Sequence, residues 1–192
     1  MINRNFFFEH AKATLYDGKF KHGQIDGLTA ILDEWEANHA KKDDRWLAYM
    51  LATTHHETGR TMRAIEEFGK GKDRRYGKNF KLDGTQYTNT PNVFYGRGFV
   101  QLTWYENYEK AGKKIGVDLI NKPELALDLI NATRILFSGM MEGWFTAKKL
   151  SNYFDPVKED WRNARRIING TDKADLIASY GRKYYAAISH TI

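Results

Sequence analysis

The sequence is organised around three segments: His56-Glu57-Thr58-Gly59, Ile65-Glu66-Glu67 and Tyr95-Gly96-Arg97-Gly98-Phe99-Val100-Gln101-Leu102-Thr103. The first two place the carboxylates of Glu57 and Glu66 nine residues apart, and the third is rich in glycine and ends in amide and hydroxyl side chains. Cleavage of a glycosidic bond requires an acid, a base and groups that position water. The segments therefore favour a glycosidase, although two glutamates at this spacing occur in many helical proteins.

The periodicity of apolar residues predicts a mainly α-helical protein. Asp43 or Asp44 is expected to cap a helix that runs to Glu57 and ends near Gly59. Thr103 and Glu106 have the spacing of a capping box at the start of another helix. The helices are expected at residues 24–38, 43–59, 103–116, from 121, 131–145, 160–168 and 173–188, with a loop-rich segment at 69–98.

The composition indicates a folded chain without thiol chemistry. The 192 residues are 42% hydrophobic and 14% aromatic, which predicts a single domain over residues 1–192. No cysteine is present, so disulfides, thiolate metal sites and a cysteine nucleophile are excluded. No segment has the apolar length of a signal peptide or a membrane span, so we expect synthesis in the cytoplasm.

The histidines and serines do not form a recognised site. His55-His56-Glu57 lacks zincin spacing, since Arg60 stands where a second histidine would be required. We expect one of the two histidines to pack behind Glu57 and the other to lie at the surface. No serine lies in a Gly-x-Ser-x-Gly context, and no phosphate-binding loop is present. We therefore expect neither a metal nor a cofactor.

Much of the positive charge is concentrated after the carboxylate pair. The net charge is +6, and the segment Lys70–Lys81 holds six basic residues and one acid. Such a segment is either a solvated loop or a surface that attracts a polyanion such as nucleic acid or the bacterial wall.

Further segments occur in a fixed order with those already quoted. They are Asn107-Tyr108, Ala111-Gly112-Lys113-Lys114-Ile115-Gly116-Val117-Asp118-Leu119, Asn121-Lys122-Pro123-Glu124-Leu125 and Ile167-Ile168-Asn169-Gly170. Together the segments resemble glycoside hydrolase family 19, the chitinase-like family, and most of all its compact phage endolysins. The resemblance covers about residues 46–170. It implies a lysozyme-like, chitinase-like helical catalytic domain with a substrate cleft and no separate cell-wall-binding domain.

The resemblance implies an inverting hydrolysis that uses no cofactor. Glu57 matches the general acid of the family's His-Glu-Thr motif. We assign the general base to Glu66, with Glu67 as the alternative. Thr103 matches the hydroxyl residue that orients the attacking water.

The resemblance also implies a set of substrate-binding residues. Gln101, Asn107 and Asn169 match amides that contact the glycan. Tyr95 and Trp104 are expected to offer ring faces to sugars, or else to pack in the core.

One feature of the family is missing from the last predicted helix. The family places an arginine there, soon after an acidic residue, as a charge partner of the catalytic acids. Here Leu176 follows Asp175. We therefore consider Arg60, Arg63 or Arg182 as the source of that charge.

The expected substrate is the β-1,4 glycan backbone of bacterial peptidoglycan, cleaved by a monomeric muramidase-like endolysin. The basic segment Lys70–Lys81 favours this anionic polymer and a contact with the anionic cell envelope. Release from the host cytoplasm is then expected to depend on a holin. Chitin is the alternative substrate, and a non-catalytic domain that binds glycan or nucleic acid is the alternative of another class. No specific nucleic acid is expected as a partner.

Overall fold

The computed structural model describes residues 1–189 and is mainly α-helical, as predicted. The α-helices are α1 (Arg4–Leu15), α2 (Gln24–Asn38), α3 (Asp44–Glu57), α4 (Tyr105–Ile115), α5 (Leu129–Glu142) and α6 (Ala174–Ile188). Short 3-10 helices occur at Arg75–Gly77, Pro123–Leu127, Leu150–Asn152 and Asn163–Ile167. The strands, of two residues each, are β1 (Ile65–Glu66), β2 (Arg97–Gly98), β3 (Phe154–Asp155) and β4 (Lys158–Glu159).

The chain forms two compact units. The first combines residues 1–62 with the chain from Phe137 onward, and the second is Arg63–Leu136. Within the described residues 1–189, no helix is both long and apolar enough to cross a membrane.

Helix α3 is the centre of the first unit. All nine residues from Leu47 to His55 are buried, which is typical of a helix surrounded by other elements. It packs against α6, which also packs against α1. Trp161 lies against α6 at Gly181, where a Cβ would come within 2.7 Å of the indole ring. Glycine at this position is therefore needed for the close approach of a large buried side chain.

The second unit contains the antiparallel pair of β1 and β2. Ile65 pairs with Gly98, and Glu66 pairs with Arg97. Gly98 has a φ of 86°, and a Cβ there would lie 2.9 Å from the carbonyl oxygen of Ala126. Both the backbone conformation and the close contact favour glycine at this position.

Several predicted helices are confirmed and others need correction. Helices α2 and α3 follow the prediction, with Asp43 as the N-cap of α3. The capping box of Thr103 and Glu106 is wrong: α4 begins at Tyr105, and Glu106 instead accepts a hydrogen bond from the amide of Leu82 at 2.9 Å. The predicted helix at 160–168 is a 3-10 helix, and α1 was not predicted.

Candidate active site

Glu57 is the last residue of α3 and lies in the first unit. The turn after it is fixed by Thr58, whose hydroxyl donates to the carbonyl of Thr54 at 2.7 Å and accepts from the amide of Met62 at 3.0 Å. Thr58 is buried, whereas the side chain of Glu57 remains 16% exposed. The end of α3 therefore holds a mostly buried carboxylate on a rigid support.

The charged partner of Glu57 is Arg165, which sequence reasoning missed. An Nη of Arg165 donates to Oε1 of Glu57 at 2.5 Å, and its Nε donates to the carbonyl of Asp172 at 3.1 Å. Arg165 is 4% exposed. The expected alternative, Arg60, instead pairs with Asp17 at 2.8 Å.

Asn169, a predicted substrate contact, lies beside this arginine. Its backbone amide donates to the carbonyl of Arg165 at 3.1 Å, and its side-chain oxygen accepts from the amide of Gly170 at 2.9 Å. Asn169 is exposed. The first unit thus brings together two predicted site residues, Glu57 and Asn169, through Arg165.

The two histidines before Glu57 have different environments. His55 is buried, and its Nδ1 lies 3.2 Å from the hydroxyl of Tyr16 and 3.0 Å from that of Tyr184. Burial lowers the pKa of His55 to about 3, so the ring is neutral. His56 is half-buried, and burial lowers its pKa as well. Among residues 1–189, no group of three potential ligands could hold a metal ion.

Glu66 lies on β1 in the second unit and is surrounded by donors. Its Oε1 accepts from the hydroxyl of Tyr95 at 2.5 Å, and Nζ of Lys70 lies 3.1 Å from its Oε2. The Nε of Arg97 lies 3.7 Å from Oε1. The hydrogen bonds from Tyr95 and Lys70, together with these positive charges, hold the pKa of Glu66 below its usual range. The carboxylate is therefore ionised near neutral pH, and its side chain is 35% exposed.

Glu67 has a different role in the same unit. Its Oε1 accepts from the hydroxyl of Tyr76 at 2.7 Å, and its Oε2 accepts from the amide of Gly96 at 3.0 Å. Its own amide donates to the carbonyl of Gly96 at 2.7 Å. Glu67 thus connects two parts of the unit by hydrogen bonds: the loop that contains Tyr76 and the segment before β2.

The prediction that Tyr95 offers a ring face to sugar is not supported. Tyr95 is 5% exposed, and the guanidinium carbon of Arg97 lies 3.6 Å from its ring centre. Arg97 is itself buried, which fixes this stacking. Tyr95 contacts Glu66 through its hydroxyl instead. Trp104 is half-buried, with its ring edge-to-face with that of Tyr76 at 5.5 Å.

The remaining predicted residues also lie in the second unit. The amide of Gln101 donates to the carbonyls of Ile65 at 3.1 Å and Gly98 at 3.2 Å. The amide of Asn107 donates to the carbonyl of Thr103 at 2.9 Å. Gln101 therefore braces β1 and β2, and Asn107 braces the turn before α4. Thr103 is half-buried.

The family model of glycoside hydrolase family 19, described as chitinase class I, matches residues 32–165. The chain belongs to this family. The match ends at Arg165, the partner of Glu57, and overlaps most of the region expected from the sequence motifs.

Curated relatives and solved structures agree with this assignment. The chain is 32% identical over 134 residues to an acidic endochitinase of Dioscorea japonica, covering 68% of this chain and 49% of the relative. It is 33% identical over 132 residues to endochitinase EP3 of Arabidopsis thaliana, covering 68% and 44%. The chain thus spans about half of these relatives or less.

The fold matches that of solved chitinases. Chitinase C of Streptomyces griseus superposes with a TM-score of 0.61 at 19% identity, covering 99% of this chain and 77% of that one. A class IV chitinase of Zea mays gives a TM-score of 0.59 at 15% identity, covering 97% and 91%.

Proposed function

We propose that the protein is a glycoside hydrolase that cleaves β-1,4-linked N-acetylhexosamine polymers by an inverting mechanism. Glu57 acts as the general acid: its carboxyl group, which contacts Arg165, takes up a proton before cleavage and passes it to the leaving oxygen, and Arg165 then pairs with the carboxylate that remains. Glu66 acts as the general base and takes a proton from the attacking water, which Thr103 helps to orient. Inversion follows because one water displaces the leaving group directly, without a covalent intermediate.

The observation that carries this proposal is the contrast between Glu66 and Glu67. Glu66 is ionised and open to solvent, as a general base must be to meet water. Both oxygens of Glu67 accept hydrogen bonds from groups that fix the local fold. Glu66 is therefore the better candidate of the two, and Tyr95 is the residue that positions it.

The proposed polymer is peptidoglycan. Its peptide stems carry carboxylates, whereas chitin is neutral. In the described part of the chain, the exposed side chains of Lys72, Arg74 and Lys78 form no ion pair, so they are available to an anionic polymer. Such surface charges mainly accelerate encounter and raise affinity at low salt.

Chitin is the second candidate, because the curated relatives bear the name endochitinase. A direct comparison distinguishes the two polymers. Purified protein is incubated with peptidoglycan and with chitin oligomers, and the new reducing ends are identified by mass spectrometry. Release from peptidoglycan alone, or faster release from it, supports the proposal. Faster release from chitin assigns the protein as a chitinase.

Glu57→Gln is the matched inactive variant for this experiment. It should bind the preferred polymer and release no product. Absence of product from both polymers with the wild type would overturn the enzymatic proposal. Strong, salt-sensitive binding to DNA by that inactive wild type would instead support a nucleic-acid-binding domain.

The biological setting that we propose is release of a phage-type endolysin from the cytoplasm. Expression of the wild type inside bacteria should leave the culture intact until the membrane is permeabilised, and then cause rapid lysis. Expression of Glu57→Gln serves as the control. Lysis that is no faster with the wild type than with Glu57→Gln would contradict this setting.

A further inference from the structure

Lys70 is the residue of the basic segment that contacts the proposed base. Its Nζ lies 3.1 Å from Oε2 of Glu66 and 5.9 Å from the ring centre of Tyr95. The other groups that face Glu66 are the hydroxyl of Tyr95 and the guanidinium of Arg97. Glu66 is therefore held by two cations and one phenol.

The two cations differ in their freedom to move. Arg97 is 5% exposed, and one of its Nη atoms donates to the carbonyl of Val93 and the hydroxyl of Tyr108. The side chain of Lys70 is 63% exposed and carries its ammonium group on a flexible four-carbon stem. Lys70 is therefore the cation that a bound substrate can draw away from Glu66, whereas Arg97 is fixed.

The ion pair with Lys70 opposes the chemistry expected of Glu66. A general base becomes neutral when it accepts the proton of water, and a neutral carboxyl group loses its attraction to an ammonium ion. A carboxylate on the substrate can replace Glu66 as the partner of Lys70, which leaves Glu66 a stronger base. A neutral glycan has no group that can make this exchange.

We propose that Lys70 is a specificity-determining residue that favours glycans bearing a carboxylate near the cleaved bond, by transferring its ion pair from Glu66 to that carboxylate. This inference rests on the proposed function, with Glu66 as the base. The exchange of this ion pair favours an acidic polymer through the basicity of Glu66, whereas the other exposed cations only attract the polymer.

The test compares Lys70→Gln with the wild type on two soluble substrates. One is a neutral chitin oligomer, and the other is a peptidoglycan fragment that retains its peptide stems. The ratio of kcat/KM on the fragment to kcat/KM on the oligomer should fall severalfold, because the variant can no longer transfer an ion pair from Glu66 to the substrate carboxylate. The acidic limb of the pH profile on the neutral oligomer should move to higher pH, since removal of a cation raises the pKa of Glu66.

Two further variants complete the design. Lys113→Gln removes the same charge from an exposed lysine of α4 that pairs with Glu109, so it should change neither the ratio nor the acidic limb. Lys70→Arg keeps the charge and should retain most of the preference. An unchanged ratio in Lys70→Gln would overturn the inference. A ratio that falls through KM alone, with the acidic limb unmoved, would also overturn it, because Lys70 would then only bind substrate.

These outcomes are distinct from failure of the proposed function. If the wild type cleaves neither substrate, the proposed function fails and this inference fails with it. If the wild type cleaves both, and Lys70→Gln behaves as Lys113→Gln does, the proposed function stands and only the inference is overturned.

Discussion

Arg165→Met tests the pairing of Glu57 with its cation. The two side chains are 5% and 16% exposed, so the variant leaves the carboxylate in a largely dry site without its partner. The carbonyl of Asp172 also loses its donor. Methionine retains much of the apolar stem of arginine, which limits the loss of packing. Removal of one partner from a buried pair costs about 3–5 kcal/mol. Since Glu57 retains some contact with water, we expect the lower end, about 3 kcal/mol.

Urea unfolding followed by tryptophan fluorescence measures this cost. Four of the five tryptophans lie in the same unit as Glu57, and Trp104 lies in the other. The signal therefore reports mainly on the unit that contains the substitution. For a chain of this size, about 3 kcal/mol corresponds to a fall in Tm of roughly 6–12 °C.

A double-mutant cycle with Glu57→Gln isolates the pairwise energy. In the Glu57→Gln background no charge remains to be stranded, so Arg165→Met should cost only about 1 kcal/mol, as expected for a lost hydrogen bond. The coupling energy is then about 2 kcal/mol, within the range for residues in direct contact. Equal costs in the two backgrounds, to within about 0.5 kcal/mol, would refute the argument that the ion pair stabilises this site.

Four further substitutions test other parts of the structure. Glu66→Gln should lower kcat by about a hundredfold or more without changing the urea midpoint. Glu67→Gln should instead lower the free energy of unfolding by about 1–2 kcal/mol, because the new amide group would face a hydrogen-bond donor. If Glu67→Gln loses more kcat than Glu66→Gln, the assignment of the base is reversed. Burial lowers the pKa of His55 to about 3 in the folded protein. Below about pH 6.5 the unfolded chain therefore binds one proton at His55 that the folded protein does not bind. The free energy of unfolding of the wild type should fall by up to about 1.4 kcal/mol per pH unit between pH 6 and pH 4. His55→Gln should show a shallower fall in the same unfolding assay, and an identical slope would contradict a buried neutral ring. Gly27→Ala should lower Tm strongly, because the new Cβ would lie 1.8 Å from the carbonyl oxygen of Met62, and an unchanged Tm would show that this contact is easily relieved.

The elements that could be predicted are those specified by neighbouring residues. The apolar period of α2 places Leu28, Ile31 and Trp35 on one buried face. Asp43 accepts from the amide of Arg45 at 3.0 Å, which is the local interaction that a helix start requires. Both signals lie within a few residues, so they can be recognised without knowledge of the tertiary structure.

The start of α4 could not be predicted, because it depends on a residue that is distant in the sequence. Thr103 and Glu106 have the spacing of a capping box, but Glu106 lies 24 residues from the amide of Leu82 that it binds. Trp104 occupies the N-cap position with a φ of 74°, which few side chains adopt. A tertiary hydrogen bond thus replaces the local one, and the order of residues alone cannot distinguish the two.

The candidate site shows the same division between local and distant signals. The motifs indicate Glu57 and Glu66 as candidate catalytic residues, but not the contacts that would determine their chemistry. Arg165 lies 108 residues from Glu57, so no local pattern links them, and the sequence alone points to Arg60, Arg63 or Arg182 instead. The motif Tyr95-Gly96-Arg97-Gly98 likewise suggested an aromatic surface for sugar. In the folded chain the guanidinium of Arg97 stacks on the ring of Tyr95, and the tyrosine hydroxyl donates a hydrogen bond to Glu66. A motif of this kind therefore indicates candidate residues for a reaction, whereas the charge state of each group depends on partners that only the folded chain brings into contact.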